Sequence, residues 1–159
     1  MAIKQLTVFV QNSKGTIVSV TDTLAKNNIN IRALSIAETE DFGILRLIVN
    51  DTEGATKILN ESGYLIKTID VIGVKIGDNP GELTSALAVL DKANINVEYL
   101  YAFMARTEKH AYVVLRVEDN ACAENALMVT TSASEIITLS LFMNFIFLFL
   151  LIYTKLSKI

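Results

Sequence analysis

The segment KNNINIRAL at residues 26–34 returns as KANINVEYL at residues 92–100. At this spacing of 66 residues, Gly15, Ser19, Leu24, Lys26, Asn28, Ile29, Asn30 and Leu34 each meet an identical residue: Gly81, Ser85, Leu90, Lys92, Asn94, Ile95, Asn96 and Leu100. Further on the spacing becomes 68, where VND (49–51) matches VED (117–119). Eight identities within twenty positions exceed chance, so the chain is read as a duplication, and any fold assigned to it must be built twice.

Each copy has a legible order of elements. KQLTVFVQN (4–12) alternates Leu6, Val8 and Val10 with other residues, as a strand does. In SKGTIVSVTDTLAKNN, Ile17, Val20 and Leu24 fall at helical spacing, and Asn27-Asn28 supply a stop. INIRALSIAE (29–38) and ILRLIVN (44–50) read as strands joined by a tight turn at EDFG. Asp51 or Thr52 caps a helix with Ala55, Ile58 and Leu59 on one face, Gly63 ends it, and YLIKTID (64–70) is a fourth strand. The second copy repeats VIGVKIG, PGELTSALAVLDKA, INVEYLYAFMA, KHAYVVLRV and DNACAENAL. The order β-α-β-β-α-β predicts an α+β fold of two ferredoxin-like units side by side, with antiparallel sheets and helices on one face. The boundaries are 1–70 for the first unit, 71–130 for an incomplete second, and 131–159 for an apolar tail.

These residues resemble the tandem ACT-domain family, small bacterial proteins that bind amino acids. The resemblance rests on the turns NSKG (12–15) and DNPG (78–81), the two Asn-Ile-Asn segments, and the run SIAETEDFGILRLIV (35–49). It covers residues 3 to about 120. It implies that a small ligand, usually an amino acid, binds at the seam between paired units as an allosteric effector. It also implies a homo-oligomer such as a dimer, a cytoplasmic setting, no cofactor, and a separate regulated protein, since no catalytic domain is attached.

A physical case for the site stands beside the resemblance. A glycine turn that opens a helix exposes amides without intrahelical acceptors, and the helix dipole favours an anion there. A ligand carboxylate is therefore expected over Gly15-Thr16 or Gly81-Glu82. Asn12 or Asp78 would face its ammonium group, with Lys14 and Asn79 in the same turns. Asn30-Ile31 or Asn96-Val97 of the opposite unit would form the other wall, and Arg32 is near enough to Asn30 to meet an anionic ligand. A helix terminus contributes about 0.3–1 kcal/mol to holding an anion, whereas micromolar binding needs about 8 kcal/mol. The turn can orient such a ligand, but the ammonium partner and a side-chain pocket must supply most of the affinity.

Other functions find little support. The net charge of −3 and the lack of a basic cluster argue against nucleic acid, even though Tyr99, Tyr101 and Phe103 alternate along one strand. Cys122 is the single cysteine and His110 the single histidine, too few for a disulfide, a zinc site or a nucleophile–base pair. Asp41-Phe42-Gly43 resembles a kinase magnesium motif but sits in the hairpin, so it reads as a turn. Acylphosphatases share the element order, yet Lys14 is the only basic residue in the first loop, where that chemistry needs arginine. No signal peptide is recognisable, and an enzyme is not expected.

The tail departs from the repeat. Residues 136–154 (IITLSLFMNFIFLFLLIYT) carry no charge, and thirteen of the nineteen are Ile, Leu or Phe. As a helix they would span roughly 28 Å, enough for a bilayer core. Three readings follow: a membrane anchor, a frameshift product, or an apolar helix docked in an oligomer interface. A structural or assembly module without a ligand is the alternative to a sensor.

Overall fold

In a computed structural model, the described residues are 3–39, 42–104 and 110–130. The elements run β1 (Ile3–Gln11), α1 (Thr16–Lys26), β2 (Ile31–Glu38), β3 (Phe42–Val49), α2 (Thr52–Glu61), β4 (Leu65–Gly77), α3 (Glu82–Lys92), β5 (Val97–Met104), β6 (His110–Val117) and α4 (Asn120–Thr130). Two compact units divide between Asp70 and Val71. The boundary lies inside β4, a 13-residue strand that closes the first unit and opens the second. The fold is α+β with ferredoxin-like units, as the duplicated element order predicts.

The first unit has strand order β2-β3-β1-β4. Leu6 faces Leu47 and Val8 faces Leu45 across the antiparallel β1–β3 pair. These side chains, with Val10 and Val49, form a core with Val20 and Leu24 of α1 and Ala55 and Leu59 of α2. The second unit has order β4-β6-β5. Its core joins Ile72, Val74, Val113, Leu115 and Val117 to Leu90 of α3 and to Ala123 and Leu127 of α4. In both units, period-2 alternation on the strands meets period-3.6 spacing on the helices.

The repeated Asn-Ile-Asn segment is a helix stop. Asn28 and Asn94 have φ of 57° and 56°, in the left-handed region. The Asn28 amide donates to the Ala25 carbonyl (3.0 Å) and the Ile29 amide to Leu24 (3.0 Å). Asn94 and Ile95 repeat the pattern on Asp91 and Leu90, each at 2.9 Å. This double bond pattern is a Schellman motif, in which asparagine tolerates the positive φ and the following isoleucine packs back on the helix. Helix starts repeat as well. Asp51 accepts from the Gly54 amide (2.9 Å), and Asp119 accepts from the Cys122 amide (3.0 Å).

Several expectations fall on other residues. Glu40 and Asp41 of the hairpin lie outside the described residues, while Phe42 and Gly43 already belong to β3. Residues 131–159 also lie outside them, and with them the tail and any last strand of the second unit. Among the described residues no helix is long and apolar enough to cross a membrane.

Replacing Asn28 by valine puts a β-branched side chain at positive φ and should cost about 1–2 kcal/mol. Asn28→Gly should hold the wild-type value to within a few tenths. Thermal denaturation of both variants checks the pair. Asp51→Ala should lose about 1 kcal/mol as an N-cap deletion, read in the same measurement.

Candidate functional site

Beyond β1 the chain makes a tight turn. The Ser13 amide donates to Gln11 (2.9 Å), the Thr16 amide donates to Ser13 (3.3 Å), and the Ser13 and Thr16 hydroxyls meet at 2.8 Å. Gly15 is the N-cap of α1 at φ 91°, with no side-chain cap bond. The first intrahelical bond runs from the Ser19 amide to the Gly15 carbonyl (2.9 Å). The Thr16 amide is thus engaged by the turn, and Ile17 and Val18 carry the helix-start amides that precede the intrahelical ladder. Of the amides expected to meet an anion, over Gly15-Thr16 or Gly81-Glu82, those of Thr16 and Glu82 are bonded within their turns.

This helix start opens onto a hollow of about 440 Å³. Asn12, Ser13 and Ile17 form one side, and Ile36, Glu38 and Gly43 the other. Asn12 Nδ2 donates to the Thr39 carbonyl (3.3 Å), tying the turn to the end of β2. Glu38 adds an exposed carboxylate. A Cβ on Gly43 would come within 3.0 Å of Val10 Cγ2 and 3.4 Å of Ile36 Cδ1, so glycine keeps the floor of the hollow clear. Lys14 is exposed on the same turn.

Ile36, Glu38 and Gly43 escaped the sequence reading, although the signal was present. β1 and β2 are both antiparallel to β3, so they run parallel and their carboxyl ends share one end of the sheet. Asn30 and Ile31 lie at the other end of β2. There the Asn30 amide donates to Asn50 Oδ1 (2.8 Å) and its carbonyl accepts from the Asn50 amide (3.1 Å).

The second turn shares the backbone and differs in charge. Gly81 has φ 95° and no side-chain cap bond, the Glu82 amide donates to Asn79 (3.3 Å), and the Ser85 amide donates to Gly81 (2.9 Å). Glu82, however, places a carboxylate in the first turn of α3, where α1 has no acid. It folds back over the end of β4: a Cβ on Gly77 would lie 3.0 Å from its carboxyl carbon and from Oε1. The chain's own anion therefore stands beside the helix start, and Asp78, exposed in the same turn, adds a second negative charge.

Asn96 and Val97 line a separate hollow of about 590 Å³ with Leu87, Asp91, Asn94 and Ile95, beside the end of α3. Edge strands β2 and β5 each carry a bulge, at Arg32 and Glu98. Glu98 pairs with Arg116 (3.5 Å), whereas Arg32 Nε is buried without a hydrogen-bond partner among the described residues. His110 is the half-buried first residue of β6. Among the described residues no group of three metal-ligating side chains converges.

The ACT domain pair family profile matches residues 1–141. A crystal structure of a Bacteroides thetaiotaomicron protein is 37% identical, covering 84% of this chain and 94% of its own, with a TM-score of 0.77. The ligand-free regulatory subunit of aspartate kinase from Thermus thermophilus is 14% identical over 81% of this chain and 91% of its own (TM-score 0.58). Its counterpart from Thermus flavus is 15% identical over 79% and 90% (TM-score 0.58). No curated protein matches. Two units of the same element order, each opening its first helix on a left-handed glycine, and a profile match over most of the length establish that the chain belongs to the ACT domain pair family.

Proposed function

We propose that the chain is a non-enzymatic regulatory protein that binds a free amino acid at the β1–α1 turn of its first unit and signals to a separate protein. One observation carries this reading: the uncapped start of α1 opens into a hollow whose far side ends in the Glu38 carboxylate. The α-carboxylate of the ligand sits over the Ile17 and Val18 amides. Its ammonium group faces Glu38 and Asn12 Oδ1, and its side chain lies on Ile17 and Ile36. The aspartate kinase regulatory subunits that share the fold lend the reading support by analogy. The proposal sets the protein in the cytoplasm, where free amino acids report metabolic state.

The two turns are unequal in this scheme. An incoming carboxylate at α3 meets Glu82 and Asp78, so the first turn is the working site and the second binds weakly or not at all. The hollow also has an open side. β2 is the edge strand of the first unit, and Ile17, Leu34 and Ile36 are each nearly half exposed there. A second ACT unit packed on this edge closes the hollow and makes the protein a homo-oligomer. The same exposed edge favours the second reading, an assembly module that pairs without a ligand.

A thermal-shift screen of the twenty amino acids separates the two readings. A ligand at 100 times its dissociation constant should add about 2.7 kcal/mol. No response from any of the twenty leaves the assembly module. For a responding ligand, Gly15→Val should abolish the shift while Gly81→Val keeps it; the reverse result moves the site to the second turn.

Thr16→Glu gives α1 the acidic first turn of α3 and is gentler on the backbone than a change at Gly15. It should weaken binding at least tenfold in calorimetry without lowering the melting temperature of the free protein. Unchanged affinity would remove the α1 terminus from the site.

A further inference from the structure

The sheet of the second unit has two faces, and its helices account for one. Leu90, Ala123 and Leu127 pack on Ile72, Val74, Val113 and Leu115. Strand alternation turns Val71 and Gly73 of β4, Tyr112 and Val114 of β6, and Tyr99 and Tyr101 of β5 to the other face. A sheet with helices on one side commonly leaves its second face to water. Here Val71, Tyr112 and Val114 are 0% exposed and Gly73 is buried. Tyr99 and Tyr101 are half-buried even though β5 is an edge strand. Among the described residues of this unit, both helices lie on the opposite face and the turns at 78–81, 93–96 and 118–119 lie at strand ends.

We infer that the apolar C-terminal segment, residues 136–154 of the same chain, covers this face as a third layer. The segment starts six residues after the end of α4, on the same unit. Its thirteen Ile, Leu and Phe side chains match the valines and tyrosines of this face, which also carries Lys75 and Arg116, the latter paired with Glu98. Its Thr138, Ser140 and Asn144 offer acceptors for tyrosine hydroxyls, which a purely hydrocarbon layer could not. Burial on the sheet also removes an apolar patch that would aggregate if left in water. A membrane anchor would take the segment away and leave the covered face bare. The inference is independent of the ligand site in the first unit.

Photo-crosslinking of the full-length chain tests it. Tyr101→p-benzoylphenylalanine places a photoreactive ring of similar shape at the half-buried edge of the face. Irradiation should join residue 101 to a peptide from 136–154 within a single chain, as read by mass spectrometry of the monomer band. Crosslinks to a second copy, to residues 1–130 or to added phosphatidylcholine vesicles would each overturn the proposal, as would no crosslink at all. A second measurement leaves the face itself unaltered. Phe145→Asp with Phe147→Asp in the full-length chain should raise hydroxyl-radical oxidation of Tyr112 at least fivefold at unchanged far-ultraviolet circular dichroism. Equal oxidation with and without the two charges would also overturn it.

Discussion

Left-handed backbone at both ends of a helix is the constraint on which the first β-α-β step of each unit depends. α1 lies between Gly15 and Asn28, and α3 between Gly81 and Asn94, all four at positive φ. The two ends then differ in chemistry. Asparagine at the carboxyl end lets two amides reach back to helix carbonyls and closes that terminus. Glycine at the amino end has no side chain, so it cannot cap; the turn takes the Thr16 and Glu82 amides, and the next helix-start amides precede the intrahelical ladder. The residue that permits the turn is thereby the residue that leaves the site unfilled. α2 and α4 follow the other rule: Asp51 and Asp119 cap them, and their starts are satisfied from within the chain.

Much of this was legible in the sequence because it repeats. The duplication supplied the element order, the strand alternation of Leu6, Val8 and Val10 supplied the core face, and the turn glycines supplied the helix starts. Asn27-Asn28 was visible as a stop, whereas the matching stop at Asn94 and the left-handed backbone at both positions belong to the folded chain. The wall of the site was harder to see. Ile36, Glu38 and Gly43 reach the first turn through the pairing of two strands with a third, and that pairing depends on which ends of β1 and β2 coincide. The sequence alone suggests a wall from Asn30-Ile31 or Asn96-Val97 of the opposite unit; within its own unit Asn30-Ile31 lies at the far end of β2 from the turn. Repetition marked what holds each unit together better than it marked what the unit does.

Divergence between the copies is more informative about function than their likeness. Thr16 faces Glu82 in the duplication, so one helix start lacks an acid and the other has one built in. Arg32 faces Glu98 at the two strand bulges, and only Glu98 has its counter-ion, Arg116, on the neighbouring strand. The corresponding residue across from the first bulge is Ile48, buried and apolar. Backbone architecture was kept while charge was redistributed. The proposed function accounts for this divergence by a ligand at the first turn and a structural role for the second.

The energetics set what the proposed site at α1 must do. A helix start supplies about 0.3–1 kcal/mol toward an anion, so specificity for an amino acid over a simple carboxylate has to come from the ammonium group and the side chain. Glu38 and the Asn12 oxygen answer the first, and Ile17 with Ile36 the second. Ile36 stands on an edge strand with much of its surface exposed, and a ligand against it gains full apolar burial only when another unit covers that edge. In the proposed scheme binding and pairing share the same surface, and each strengthens the other. By thermodynamic reciprocity, a ligand that favours the paired state must bind more tightly to it. The proposed regulatory role requires such a coupling, because a separate protein reads the bound state through a change in the surface presented to it.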